Sequence, residues 1–143
     1  MSEYPDNVTW PDPEKVVGTI VRPLVGHDAH VGNFLVVDYD EQIGDQDQPF
    51  ITVRERGGVI DDDDFTSYPN VEVSCWGKTR SVARNTMSEA TKLVLQSGGT
   101  EVDGVLVDSA EDITGSEEPV LENPDDRVLT KMFRLGFRPI YQD

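Results

Sequence analysis

The sequence contains only one cysteine, Cys75, among its 143 residues. A single cysteine cannot form an intrachain disulfide, which excludes a small secreted domain held together by disulfide bonds. Cys75 lies beside Trp76 in a β-rich run, where a thiol is more often a small core residue than a nucleophile. We therefore expect Cys75 to be a small core or half-buried residue and the protein to assemble inside a cell.

Long apolar runs are also missing. No stretch approaches the roughly 18 apolar residues that predict a transmembrane helix. The N-terminus, MSEYPD, is acidic and has no apolar signal-peptide core. We expect no membrane partner.

Basic residues are scarce, since 12 lysines and arginines stand against 28 aspartates and glutamates and the net charge is −16. A protein of this charge repels the phosphates of nucleic acid, so direct nucleic-acid binding is disfavoured. It could still surround DNA that must slide past without adhering. The simpler interpretation is a solvated acidic surface that aids solubility.

Signatures of catalysis and of cofactor binding are missing as well. There is no G-x-S-x-G nucleophile motif and no phosphate loop. Gly57-Gly58 and Gly98-Gly99 are bare glycine pairs without the spacing of a dinucleotide site. No two carboxylates are evidently paired in a buried place, as acid–base catalysis requires. We therefore predict that the protein is not an enzyme and needs no cofactor.

Two segments resemble metal sites only superficially. His27 and His30 have no convincing third ligand nearby, so a zinc site is disfavoured. Residues 38–47 have the acidity of a calcium loop, but Pro49 stands where the bidentate glutamate belongs. We expect no metal in either place.

The middle of the chain predicts a strand–loop–strand–helix unit. Residues 49–55 (PFITVRE) and 71–76 (VEVSCW) are β-rich runs, separated by a Gly57-Gly58 turn and a polar loop. A helix from about Thr79 to Gln96 follows, with one apolar face that can pack on the two strands. We predict that both strands are neighbours in one sheet and that this helix lies across it.

The flanking segments complete the domain. Residues 1–11 form an expected arm, in which Trp10 either packs on the first helix or docks on a neighbouring subunit. Asp12-Pro13-Glu14 predicts the start of that helix, and Pro23 predicts its end near Arg22.

Further strands are expected in the segments 27–37, 102–107 and 129–138, with an acidic connection over residues 109–126. In the last of these strands Leu129, Phe133, Leu135 and Phe137 fall on one face, and Gly136 is the place of an expected bulge. The fold class is therefore α+β, a mixed or antiparallel sheet flanked by helices, with residues 12–143 as a single domain after the arm.

In the order of these predicted elements along the chain, the sequence resembles the tail terminator proteins of long-tailed (siphovirus-type) bacteriophages, particularly those of actinobacterial phages. The resemblance covers roughly residues 12–140. It is strongest over PFITVRERGG at residues 49–58, VEVSCWG at residues 71–77, the helix that follows, and the closing RLGFRP at residues 134–139.

This resemblance implies a structural virion protein with no catalytic residue and no cofactor. It implies a homohexameric ring that caps the tail tube, ends tail polymerisation and joins the tail to the head connector. The expected partners are further copies of the chain, the tail tube protein and the head–tail connector or stopper protein. The ring would lie at the head-proximal end of the virion tail after assembly in the host cytoplasm, and it would surround DNA without sequence-specific binding.

Two groups of residues are candidates for contacts in such an assembly. Trp10, Tyr39 and Ile43 are large apolar or aromatic residues in polar, irregular segments, so we expect them at subunit interfaces. Asp61, Asp62, Asp63 and Asp64 lie in the predicted loop between the two central strands and are candidates for the channel lining or for the face toward the tube. A solvated loop without a task is the competing interpretation of these aspartates.

Four alternatives to the terminator remain at this point, and the weakest of them is an enzyme. The protein could be a head-completion or stopper protein, or a tail tube subunit, which would stack indefinitely. It could also be a small acidic cellular module that binds a basic partner in a salt-dependent way. Such a module would be monomeric or dimeric.

Overall fold

The computed structural model describes residues 8–25, 31–32, 49–61, 66–113 and 128–141. They form an α+β fold of one large sheet, one small sheet and two helices, which confirms the predicted fold class. The elements in chain order are β1 (Val8–Thr9), α1 (Pro13–Val21), β2 (Val31–Gly32), β3 (Phe50–Asp61), β4 (Thr66–Trp76), α2 (Arg80–Gln96), β5 (Thr100–Val102), β6 (Val105–Asp112), β7 (Val128–Phe137) and β8 (Ile140–Tyr141).

The large sheet has the strand order β2-β3-β4-β7-β6-β5. The pair β2–β3 is parallel and all other neighbours are antiparallel, so the sheet is mixed. Ile51 lies opposite Cys75 and Val53 opposite Val73, so the predicted pairing of the two central runs is confirmed. Of the run predicted over residues 27–37, the described part is the two residues of β2.

Helix α1 begins and ends where the sequence predicts. The Asp12 side chain accepts a hydrogen bond from the backbone N–H of Glu14 at 3.0 Å, and Pro13 occupies the first turn, where its missing N–H costs nothing. The helix ends at Val21, and a 3₁₀ turn over Arg22–Leu24 contains Pro23. Proline removes the donor that a continuing helix would need.

Helix α2 also confirms its prediction. Thr79 is the N-cap, and its hydroxyl accepts a hydrogen bond from the backbone N–H of Val82 at 3.2 Å. The helix buries one stripe against the sheet, formed by Ala83, Thr86, Met87, Ala90 and Val94. This stripe follows the 3.6-residue period of an amphipathic helix.

Both helices cover the same face of the sheet, because their apolar residues belong to one buried cluster with alternate residues of β3, β4 and β7. The largest fully buried members include Ile51, Phe133, Leu135 and Phe137. The predicted buried face of the last strand is thereby confirmed for these three residues of β7. Each fully buried side chain of this size stabilises the fold by roughly 1.5–3 kcal/mol.

The opposite face of the sheet is joined by polar side chains across its strands. Ser74 and Thr130 share a hydrogen bond of 2.8 Å between their hydroxyls, and the Trp76 indole donates to the Thr52 hydroxyl at 3.3 Å. Such cross-strand pairs hold the register of neighbouring strands. These polar pairs lie beside aromatic side chains on the same face, because Phe50 is opposite Trp76 and is 2% exposed.

The prediction of a turn at Gly57-Gly58 is wrong, because both glycines lie within β3. The register shifts between Glu55 and Gly58, so β3 carries one extra residue relative to β4. Both glycines have positive φ, 85° and 140°. A bulge of this kind bends and twists a strand without ending it. It also accommodates Pro69, which lies opposite Gly58 and cannot donate to a strand ladder.

Two further details differ from the sequence interpretation. The expected short strand over residues 102–107 is a hairpin, in which β5 and β6 are joined by a turn at Asp103 and Gly104. Both turn residues have positive φ, which glycine and aspartate tolerate best. The expected bulge at Gly136 lies on the partner strand instead, between Val107 and Ser109 of β6.

Candidate functional site

Trp10 lies between β1 and α1 and is half-buried. It lines two clefts, one of about 510 Å³ and one of about 220 Å³. Pro11 and Asp12 line both clefts as well. We call the combined lining of the two clefts the Trp10 surface.

The larger cleft separates the start of α1 from the β3–β4 ribbon. On the ribbon side it is lined by the bulge glycines, Val59 and Ile60 of β3, and Ser67 and Pro69 of β4. Val59 is 66% exposed and Ile60 is 45% exposed. As successive residues of β3, they point to opposite faces of the strand, so each is a separate exposed aliphatic side chain.

The smaller cleft lies on the other side of Trp10, between α1 and the β5–β6 hairpin. Lys15, Val16 and Thr19 line it from α1. Val102, Asp103 and Val105 line it from the hairpin, and Ile140 of β8 completes it. Ile140 is 40% exposed, so apolar surface is accessible here too.

A side-chain contact fixes α1 against the edge of β3. The Glu14 carboxylate accepts a hydrogen bond from the backbone N–H of Glu55 through Oε2 at 2.8 Å. The carboxylate oxygen takes the place of the backbone carbonyl that a further strand would offer to this N–H. The contact therefore caps part of the β3 edge and links the first turn of α1 to β3.

The Trp10 surface is acidic as well as apolar. Asp12, Glu55 and Asp103 are exposed on it, against one exposed basic residue, Lys15. The carboxylates of Glu55 and Asp103 form no ion pair within the described ranges. These charges are therefore available to a partner of opposite sign.

The strand β1 ties the end of the expected arm to the C-terminal end of the domain. Val8 lies opposite Tyr141 and Thr9 opposite Ile140 in the two-stranded sheet β1–β8. Trp10 follows this strand directly, lines both clefts with residues of α1 and is partly exposed. Its packing on α1 and its docking on a neighbour both stay predictions.

The other predicted contact residues are placed only in part. Asp61 is the last residue of β3, not a loop residue as expected, because the strand continues through the bulge. Asp62, Asp63 and Asp64 lie outside the described residues, and so do Tyr39, Ile43, His27 and His30. Their predicted roles stay predictions.

Cys75 confirms the prediction of a core residue. It is fully buried on the helix-covered face of the sheet, and burial raises the pKa of its thiol to about 12. The thiolate, which is the reactive form, is therefore disfavoured at neutral pH. Among the described residues, no group of three or more histidines, cysteines and acidic residues could hold a metal ion. Neither α1 nor α2 has the length and hydropathy that a membrane crossing would need.

Comparison with protein families places these features in context. A family model described as "Phage tail termination protein" matches residues 9–142. The chain belongs to this family. The match runs from β1 to the end of β8 and so includes the whole Trp10 surface. No curated protein sequence matches the chain.

Membership in the phage tail termination family confirms the resemblance found in the sequence. It indicates a structural component of a phage tail that contacts other tail or head proteins. The apolar part of the surface was missed by sequence reasoning, which took Val59 and Ile60 as part of a polar loop. Their signal was present, because an aliphatic pair between Gly58 and four consecutive aspartates is unusual for a solvated loop.

Proposed function

We propose that this phage tail termination protein forms a homohexameric ring that caps the head-proximal end of the tail tube. The ring ends tail polymerisation and then joins the tail to the head connector. The observation that carries the proposal is the family match over residues 9–142. The Trp10 surface supports it, because a ring subunit must expose at least one surface for its neighbour.

A ring is a head-to-tail assembly in which two different surfaces of each subunit meet and the rotation closes. A terminator differs from a tube subunit in whether its rings stack on one another. The tube subunit offers a further copy a stacking surface at each end, whereas the terminator stops after one ring. The net charge of −16 per subunit opposes assembly, so apolar or paired contacts must overcome this repulsion.

The test measures mass and tube length. Native mass spectrometry of the purified protein, alone and with isolated tail tubes, should show a single closed ring and its attachment to tube ends. Tubes polymerised from tube protein in the presence of the ring should stop growing once capped. A monomer under both conditions would overturn the proposal, and an open-ended stack of the purified chain would indicate a tube subunit instead.

The absence of enzyme activity and of a cofactor belongs to the same proposal. Family membership supports a structural role. The thiol of Cys75 is buried, and its raised pKa opposes its use as a nucleophile.

A further inference from the structure

Four of the 12 basic residues of this acidic protein lie on α2 and the residues just before it. Lys78, Arg80, Arg84 and Lys92 fall in this segment, with Glu89 as its single acidic residue. Four positive charges less one negative charge give the segment +3, within a chain of −16. The segment is therefore a positive region on a negative molecule. A second basic stretch, residues 127–138, differs from it because Lys131, Arg134 and Arg138 there lie within 4.0 Å of acidic side chains.

The exposed side of α2 presents part of this charge to solvent. Arg84, Ser88 and Lys92 are exposed and recur every four residues, which places them on one side of the helix. Lys92 lies 3.9 Å from Glu89, and both side chains are more than half exposed. Arg84 forms no ion pair within the described part of the chain. Leu95, which is 40% exposed, adds apolar area at the C-terminal end of the helix.

The Trp10 surface has the complementary character. It presents the carboxylates of Glu55 and Asp103, together with the exposed aliphatic side chains of Ile60 and Ile140. The two surfaces lie on different elements, so one molecule can offer both at once. A closed ring needs two such unlike surfaces, each used once per subunit.

We propose that the exposed basic side of α2 in one subunit docks on the Trp10 surface of the next copy of this chain. Arg84 and Lys92 face the carboxylates of Glu55 and Asp103, and Leu95 adds to the apolar contact. This inference rests on the proposed ring and assigns the two surfaces that close it. Complementary charges of this kind set the orientation of an interface and oppose other pairings.

Charge reversal tests the pairing, with ring formation measured by sedimentation velocity over a concentration series. Glu55→Lys and Arg84→Glu should each weaken subunit association by about tenfold or more, because each places like charges together. The double variant, Glu55→Lys with Arg84→Glu, again places opposite charges at the two positions and should recover association to within about threefold of the original protein. Recovery in the double variant requires that the two positions interact.

The Glu55→Lys variant also separates this pairing from simple self-repulsion. Replacing an acid by a base makes the net charge less negative by two, from −16 to −14. If only the total charge mattered, Glu55→Lys would strengthen assembly. We expect the opposite sign.

Two matched reversals serve as controls. Glu111→Lys makes the same charge change as Glu55→Lys on an exposed residue of β6, and Arg54→Glu matches Arg84→Glu on an exposed residue of β3. Both should leave association within about threefold of the original protein. Circular dichroism and thermal unfolding of each variant confirm that the subunit stays folded.

The outcomes distinguish this inference from the proposed function. If the original protein forms no ring, the proposed function fails. If it forms a ring that both reversals leave intact, or if the double variant does not recover, the ring closes through other surfaces and this inference is overturned.

Discussion

The bulge at Gly57-Gly58 offers a direct test of how the β3–β4 ribbon is built. A methyl group added at Gly58 would overlap the backbone oxygen of Tyr68 and come within 2.6 Å of the Pro69 Cα. Both atoms belong to the backbone of β4, so no side chain can turn aside to relieve the overlap. The φ of Gly58 is 140°, a value that other residues rarely adopt.

Gly57 is a matched control beside it. Its φ is 85°, and a methyl group there would meet nothing within 4 Å. Gly57→Ala therefore adds backbone strain alone, whereas Gly58→Ala adds strain and a backbone overlap. The difference between the two variants isolates the overlap.

The expected magnitudes follow from these contacts. Gly57→Ala should lower the free energy of unfolding by about 1 kcal/mol, the cost of a non-glycine residue at positive φ. Gly58→Ala should lower it by about 3 kcal/mol or more, because overpacking adds roughly 1–3 kcal/mol to the strain. For a chain of this length, the two melting temperatures should differ by roughly 6–8 °C.

Urea and thermal unfolding, followed by far-ultraviolet circular dichroism, measure both variants under identical conditions. Gly57→Asn adds a second control, because asparagine tolerates positive φ better than alanine and should retain most of the stability. If Gly58→Ala proves no more destabilising than Gly57→Ala, then β3 and β4 do not approach each other as described. The reasoning about the bulge and the larger cleft would then be wrong.

Four further predictions concern other parts of the molecule. Deleting residues 1–11 should weaken oligomerisation in sedimentation experiments with the circular dichroism nearly unchanged; unaltered assembly would exclude a contact role for this segment. Replacing the four aspartates at 61–64 by lysines should leave the subunit folded but disturb tail joining or DNA release. If particles that contain this variant are infectious and eject their DNA normally, the four aspartates are only surface charge. Cys75 should resist a thiol reagent at pH 8 until the protein unfolds. Burial raises the pKa of this thiol from 9.0 to about 12 in the folded protein, so the stability contributed by the buried neutral thiol should be complete below pH 9 and lost as the pH rises toward 12. Rapid labelling of the folded protein would contradict the burial. Thr79→Ala should cost about 1 kcal/mol of unfolding free energy through the lost helix cap, while Thr79→Ser should restore most of it; equal losses in urea titrations would contradict the capping role.

Local patterns in the sequence were sufficient for several elements. The N-cap and proline at Asp12-Pro13 mark the start of α1, and Pro23 marks its end, because capping and proline geometry act within a few residues. The apolar period of α2 and the alternation in β7 likewise depend on neighbours along the chain. The burial of Cys75 followed from its place in a β-rich run beside Trp76.

The candidate site was predictable only in part. Trp10 stood out because a large aromatic residue in a polar, proline-containing segment needs a partner. Val59 and Ile60 were missed, because the glycine pair before them was interpreted as a turn that ended the strand. A glycine pair at positive φ serves a turn or a bulge equally well, and only the pairing with β4 distinguishes the two.

Patterns along the chain were enough to predict the fold class, the helix boundaries, the family and the surplus of negative charge. They did not predict the register at the bulge, the pairing of β1 with β8, or the way α1, the β3–β4 ribbon and the β5–β6 hairpin meet around Trp10. The two groups differ in the range of the interactions that produce them. Caps and periodic apolar faces depend on residues a few positions apart, whereas strand register and a shared surface depend on contacts between distant segments that no local pattern encodes.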